Sequence, residues 1–272
     1  MRRHAFRIGL VVVAVVALVA GVWFVRAWRD RGPDEASVDD ALQRYRASSS
    51  TVEDPIGVAR PEPGVYEYEG HGDERLSFLA TSQRQGPSMP ATVTLEADGC
   101  WTLALEFNSF HTQTWDWCLD AAGVVETGGL VEQSFDFAAF KVDEHSVSRC
   151  DPPVRMLTRG AQPGQEWARR CSTVSSTART TNVSEGVVVF VGLESLMIAG
   201  AAQPALHYRV ETTISGGQEG EDRLDVWFAP DTSLLLRASR DLRVTSPAPA
   251  PLDEVTYTES GEFTIRTIAP MV

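Results

Sequence analysis

The stretch "GCWTLALEFNSFHTQTWDWC", residues 99–118, packs two cysteines and three tryptophans into twenty residues, and its alternation leaves little freedom in how it folds. Read as an antiparallel hairpin, it sets Cys100 opposite Cys118, Trp101 opposite Trp117, Leu103 opposite Trp115 and Phe107 opposite His111. Asn108, Ser109 and Phe110 then form the turn. Facing residues of an antiparallel pair share one side of the sheet. Trp101, Leu103, Leu105, Phe107, Trp115 and Trp117 therefore make one apolar face. Cys100, Thr102, Ala104, Glu106, Thr114, Asp116 and Cys118 make the other. A slip of one residue would set the tryptophans against polar partners, which argues for this register. Alternation does not say whether the apolar face is core or a ligand-binding surface, so its six residues stand as the candidate ligand surface.

Opposed Cα atoms about 4.5–5.5 Å apart lie within disulfide reach. Closing a loop of this size stabilises the fold by about 3 kcal/mol on the chain-entropy account. The other two cysteines, Cys150 and Cys171, then pair and close a second loop, "DPPVRMLTRGAQPGQEWARR". Four cysteines permit three connectivities, and this local one is favoured. The C-x₂₋₄-C spacing of a zinc site and the C-x-x-C of a redox dithiol are both missing. No metal and no cofactor is expected. Disulfides persist outside the reducing cytosol, so the cysteines point to an exported domain.

The rest of the chain from residue 63 reads as short strands broken by Gly, Pro, Asn and Asp. "VYEYEG", "RLSFLA" and "ATVTLEA" come before the hairpin. "GVVVFVGL", "ALHYRVETTI", "RLDVWFA", "SLLLRAS" and "EVTYTESGEFTIRTI" come later. "APDTS" (229–233) is expected to be a tight turn, and "SPAPAP" (246–251) a longer loop between antiparallel strands. "GLESLMIAG" (192–200) is a candidate short helix. "YEYEGHGDERLSF" (66–78) echoes "YRVETTISGGQEGEDRLDVWF" (208–228), each read as a strand, a Gly-rich turn and a second strand; any acidic hairpin has that look.

Eighteen apolar residues run from Ile8 to Val25. As a helix they span about 27 Å, close to a bilayer core. Arg2, Arg3 and Arg7 precede the run and Arg26, Arg29 and Arg31 follow it, so charge counting does not orient it; the exported cysteines do. A cleaved signal peptide is the competing reading, with "VRA" the best cleavage site. The expected layout is an anchor over 1–31, a juxtamembrane stalk over 32–62, and a β-rich extracytoplasmic domain over 63–272, with 160–180 the place for any subdivision. In the stalk, Val38, Ala41, Leu42 and Tyr45 fall on one helical face. Ser37 is placed as the N-cap, with Asp39 and Asp40 in the first turn.

The 24 basic and 37 acidic side chains give a net charge of -13. Residues 1–31 hold six Arg and one Asp, so the remainder carries 18 basic against 36 acidic groups, or -18. That disfavours nucleic acid, which requires a clustered basic face. No nucleophile elbow, P-loop, H-E-x-x-H or calcium loop is present. The five histidines are scattered. His71 and His145 sit among acids, but are read as exposed turn residues. Glu219, Glu221 and Asp222 are read as a solvated turn tip rather than a glycosidase pair. "NVS" at Asn182 is a glycosylation triplet. No enzymatic activity is expected.

The apolar N-terminal run, "ALQRYR", "PEPGVYEYEGHGDE", "GCWTLALEF", "WDWC" and the later cysteines together resemble a family of membrane-anchored actinobacterial proteins. That resemblance implies an envelope location and brings no site residues. "RLDVWFAPDTSLLLRAS" and the strands after it are similar to the half-barrels of LolA/LppX-type lipoprotein carriers, in which a curved sheet holds a lipid tail. The expected fold is mainly β, α+β at most. Curved antiparallel sheets, divisible into two half-barrel-like halves, follow one N-terminal transmembrane helix. The expected function is non-catalytic binding of a ligand, lipid among the candidates, or of an envelope partner by a single-pass protein with a cytoplasmic N-terminus. The alternative is a structural module of a cell-envelope complex.

Overall fold

A computed structural model describes residues 33–48, 60–78, 82–137, 140–176, 179–248 and 253–272. The apolar run Ile8–Val25 lies outside them. No helix among the described residues is long and apolar enough to cross a membrane.

One short helix, α1 (Val38–Ser48), precedes the strands β1 (Gly64–Leu76), β2 (Gln83–Gln85), β3 (Ser88–Leu95), β4 (Cys100–Asn108), β5 (His111–Asp120), β6 (Gly123–Phe137), β7 (Phe140–Thr158), β8 (Glu166–Ser175), β9 (Thr181–Ile198), β10 (Ala201–Gly216), β11 (Glu219–Phe228), β12 (Leu235–Pro247) and β13 (Glu254–Ile265). The strands pair antiparallel in chain order, and β13 returns to β1 through nine partnered residues, from Tyr68↔Ile265 to Leu76↔Tyr257. Twelve strands thus form a closed ring. The short β2 continues the β3 edge against β1, from Gly72↔Gln85 to Glu74↔Gln83. Closure removes the exposed edges that an open sheet would present. The mainly β, antiparallel reading is what the chain adopts, but as one barrel and not as two half-barrels. β8 (Glu166–Ser175) joins β7 to β9 in the same sheet.

Alternation carries the core. Tyr66, Tyr68, Met89, Ala91, Val93, Trp101, Leu103 and Leu105 point inward and are at most 1% exposed. The β4–β5 register runs as expected from Cys100↔Cys118 to Glu106↔Thr112. A bulge then takes up Phe107 and sets Asn108, not Phe107, opposite His111. The Asn108 side-chain oxygen accepts from the Phe110 N–H at 2.8 Å, tightening the turn to Ser109 and Phe110.

Two local expectations are corrected. The "GHG" segment is no turn; β1 runs straight through it. A Cβ on Gly70 would lie 2.1 Å from the Glu262 carbonyl oxygen, and one on Gly72 2.2 Å from Gln85 Oε1. These glycines let β13 and β2 approach β1 from both sides. Residues 192–200 form no helix; they are the end of β9 and its turn, paired from Leu193↔Leu206 to Ile198↔Ala201. The turn at 229–233 is as expected, closed by Ala229 N–H donating to the Leu234 carbonyl at 2.8 Å.

α1 starts at the expected cap, with Asp40 N–H donating to Ser37 Oγ at 3.2 Å. It lies on the outer side of β1 and β3 with Ala41 buried. Arg44 pairs with Glu106, and Arg46 donates to the Val272 carbonyl at 2.9 Å, so both β4 and the C-terminal residue hold it.

Candidate functional site

Both disulfides form, Cys100–Cys118 and Cys150–Cys171. The first lies on the outer face at the open end of a fully paired hairpin. The second is buried and stands where a ladder stops. β7 and β8 pair from Ser146↔Ser175 to Arg149↔Ser172, and Cys150–Cys171 occupies the next step of that register. Pro152 and Pro153 follow and offer no N–H to a ladder. Beyond the disulfide, Val154 to Thr158 pair only with β6, and Glu166 to Arg170 only with β9. The wall has an unzipped seam.

A cleft of about 540 Å³ lies at this seam. Leu119, Val124, Leu157, Phe190 and Leu206 form its apolar walls. Ala161 and Pro163 come from the β7–β8 connection, and Pro230 and Ser233 from the β11–β12 turn. Tyr208 also lines it and is fully buried; its hydroxyl accepts the Thr158 N–H at 3.2 Å, tying β10 to the end of β7. Trp167 and Phe190 pack around Tyr208, with ring centroids 6.3 and 4.9 Å away.

The six residues of the candidate ligand surface are placed differently. Trp101, Leu103, Leu105, Phe107 and Trp117 are buried, and Trp115 is partly buried. Trp117 packs against Trp101 and Phe228 at 6.0 and 5.6 Å. None of the six lines the cleft. Phe107 and Trp115 border a void of about 10 Å³, room for about one water.

Beyond the aromatic layer the barrel interior is polar. Glu74 accepts from His111 Nδ1 at 2.6 Å, Gln85 Nε2 at 2.8 Å and Gln133 Nε2 at 2.5 Å. Gln133 also donates to the Tyr257 hydroxyl, which donates to Glu259, both at 3.0 Å. Arg240 forks onto Asp222 at 3.0 and 2.8 Å and donates to Gln113 at 3.0 Å. Arg169 forks onto Glu126 at 3.3 and 2.8 Å. Burial opposes both charges of the Glu74–His111 pair, yet their mutual attraction prevails. The Glu74 carboxyl is held below its ordinary range and the His111 imidazole above its own. Asp222 is therefore no turn tip; it faces inward on β11. This belt draws on eight strands, β1, β2, β5, β6, β8, β11, β12 and β13, so no motif announces it.

The remaining candidates carry little chemistry. His71 and His145 are exposed, on β1 and β7 rather than in turns. Asn182 is buried, and its side-chain nitrogen donates to Gln218 Oε1 at 2.5 Å. Glu126, Cys150 and Cys171 come close enough to suggest a metal, but both sulfurs are in the disulfide and Glu126 holds Arg169. On the outer wall, His207 sits between Glu194 and Asp225, 2.8 Å from each, and stacks on Trp227 at 4.1 Å.

No protein-family model and no curated protein matches the chain. Among solved structures it is similar to the hypothetical lipoprotein YmcC from Escherichia coli (K12), at 14% identity and a TM-score of 0.34, over 75% of this chain and 86% of that one. So distant a likeness assigns neither fold nor function. The comparisons show no relation to the actinobacterial family or to the LolA/LppX carriers.

Proposed function

We propose that this is a non-catalytic, membrane-anchored extracytoplasmic protein that binds an apolar ligand, of lipid type, in the cleft at the β7–β8 seam. The cleft itself carries the reading. Its volume of about 540 Å³ lies within the roughly 300–1,000 Å³ of ligand pockets, and its walls are apolar with few polar groups. The two disulfides suit an oxidising compartment. The non-catalytic part rests on where the titratable groups lie. His111 and Glu74 are enclosed in the core, and neither lines the cleft.

The test is lipid content. Full-length protein purified from its membrane is extracted and the extract read by mass spectrometry, beside an Ala161→Trp variant in which the indole fills the cleft. Lipid in the wild type and its loss in A161W, at unchanged melting temperature, supports the reading. Equal lipid in both overturns it. A structural or interaction module is the second reading. It is favoured by Met197, 67% exposed on the β9–β10 hairpin and outside the cleft lining. Loss of a co-purifying protein on M197S, with no lipid found, would select it.

A further inference from the structure

The cleft has a polar end. Arg159 lines it, is exposed, and forms no ion pair with any described residue. It is the one charged residue among the described residues that line the cleft, whereas its strand neighbour Arg155 is held by Asp120. Next to it, the Thr158 hydroxyl is buried and has no hydrogen-bond partner, and Thr158 also lines the cleft. A buried hydroxyl without a partner is a polar deficit that a ligand atom reaching it would remove. An exposed guanidinium, an unsatisfied hydroxyl on the residue before it and apolar walls together describe the complement of an amphiphile.

We infer that the ligand is a single-chain amphiphile with an anionic head, its carboxylate or phosphate held by Arg159 and Thr158 and its chain laid along Leu157, Phe190 and Leu206. The inference rests on the apolar-ligand reading above and adds the charge and position of the head. Charge complementarity selects it. The chain beyond residue 31 carries a net -18, so its overall field repels anions and only a locally uncompensated cation retains one. The guanidinium fork matches carboxylate and phosphate oxygens geometrically, which a neutral glycerol head does not exploit. The head stays at the solvent edge, where Arg159 is exposed, and the chain takes the dry walls.

The experiment titrates full-length protein, held in peptidiscs without added lipid, with palmitate, 1-palmitoyl-lysophosphatidylglycerol and neutral 1-monopalmitin. Binding is read by native mass spectrometry for the wild type, Arg159→Gln, Arg159→Lys and Thr158→Val. The expected result is that one or both anionic probes bind more tightly than monopalmitin. R159Q then weakens the anions about tenfold, the scale of one charged hydrogen bond, and leaves monopalmitin unchanged. R159K recovers part of the loss, and T158V weakens the anions less. The tighter anion identifies the source, free fatty acid or phospholipid. Monopalmitin binding as tightly as palmitate, with R159Q moving neither, overturns the anionic head and leaves the apolar ligand standing. No binding of any of the three overturns both. Melting curves of the variants matching wild type exclude misfolding as the cause.

Discussion

The hairpins β4–β5 and β7–β8 use the same covalent device in opposite ways. Their cysteines are 18 and 21 residues apart, and their Cα atoms 3.9 and 4.1 Å. Inside the first staple the strands are paired from the disulfide down to the turn. Inside the second no β7–β8 pair exists; the paired residues lie on the other side of the bond. The first disulfide adds to a hairpin that its ladder already defines. The second replaces a ladder that Pro152 and Pro153 cannot continue. A barrel wall can therefore open over part of its length without parting altogether, and the cleft lies where it opens.

Ion pairing offers the largest perturbation. In the β7–β8 region, Arg169 reaches across the interior to Glu126, whose side chain is 7% exposed. Arg169→Leu strands that carboxylate and is expected to cost about 3–5 kcal/mol in urea denaturation. Adding Glu126→Leu is expected to recover most of the loss, since the unpaired charge goes with it. If the double variant is no better than the single, Arg169 acts through packing and the seam depends less on charge than described here.

The disulfides come next. Replacing either pair by serines is expected to lower stability by about 3 kcal/mol, because the two loops are of similar length. The variants should part in hydrogen exchange. Loss of Cys150–Cys171 speeds exchange at 154–158 and 166–170 and weakens ligand binding; loss of Cys100–Cys118 does neither. Equal effects on the seam would erase the distinction between the hairpins.

The smallest effect is in pH. Within the β4–β5 hairpin, His111 is charged by Glu74. The imidazole is raised above its ordinary 6.5, so its stabilisation is complete below that pH and fades as pH rises through the higher folded value. Glu74 is lowered from 4.5, so its contribution holds above that pH and is lost as acid reaches the lower folded value. Urea midpoints should therefore favour the window between about 4.5 and 6.5 and decline as pH rises above it. His111→Gln paired with Glu74→Gln should flatten that decline. An unchanged slope would show that the pair is not the titrating element.

How much was legible follows the range of each interaction. The β4–β5 register was readable because alternation, a turn and two cysteines all lie within twenty residues and agree. The bulge at Phe107 escaped because it is set by Asn108 turning back on the Phe110 amide, a choice of a single side chain. "GHG" read as a turn because glycine marks both turns and close approaches, and only the neighbouring strands decide between them. The polar belt was invisible for a similar reason. Glu74, His111, Gln133, Arg240 and Glu259 each occupy an inward strand position, and separately each looks like an ordinary strand residue, while the Gly-rich stretch before Asp222 makes it read as a turn tip.

By itself the sequence determined the strand-rich class, the helix cap at Ser37, both disulfides and the grouping of the tryptophans on one face of their hairpin, because each depends on neighbours a few residues away. Only the tertiary structure decided that the sheet closes, that the tryptophans are core, and that the cleft opens beside Arg159. Those outcomes depend on where β13 meets β1 and where β7 leaves β8, contacts between residues far apart in the chain.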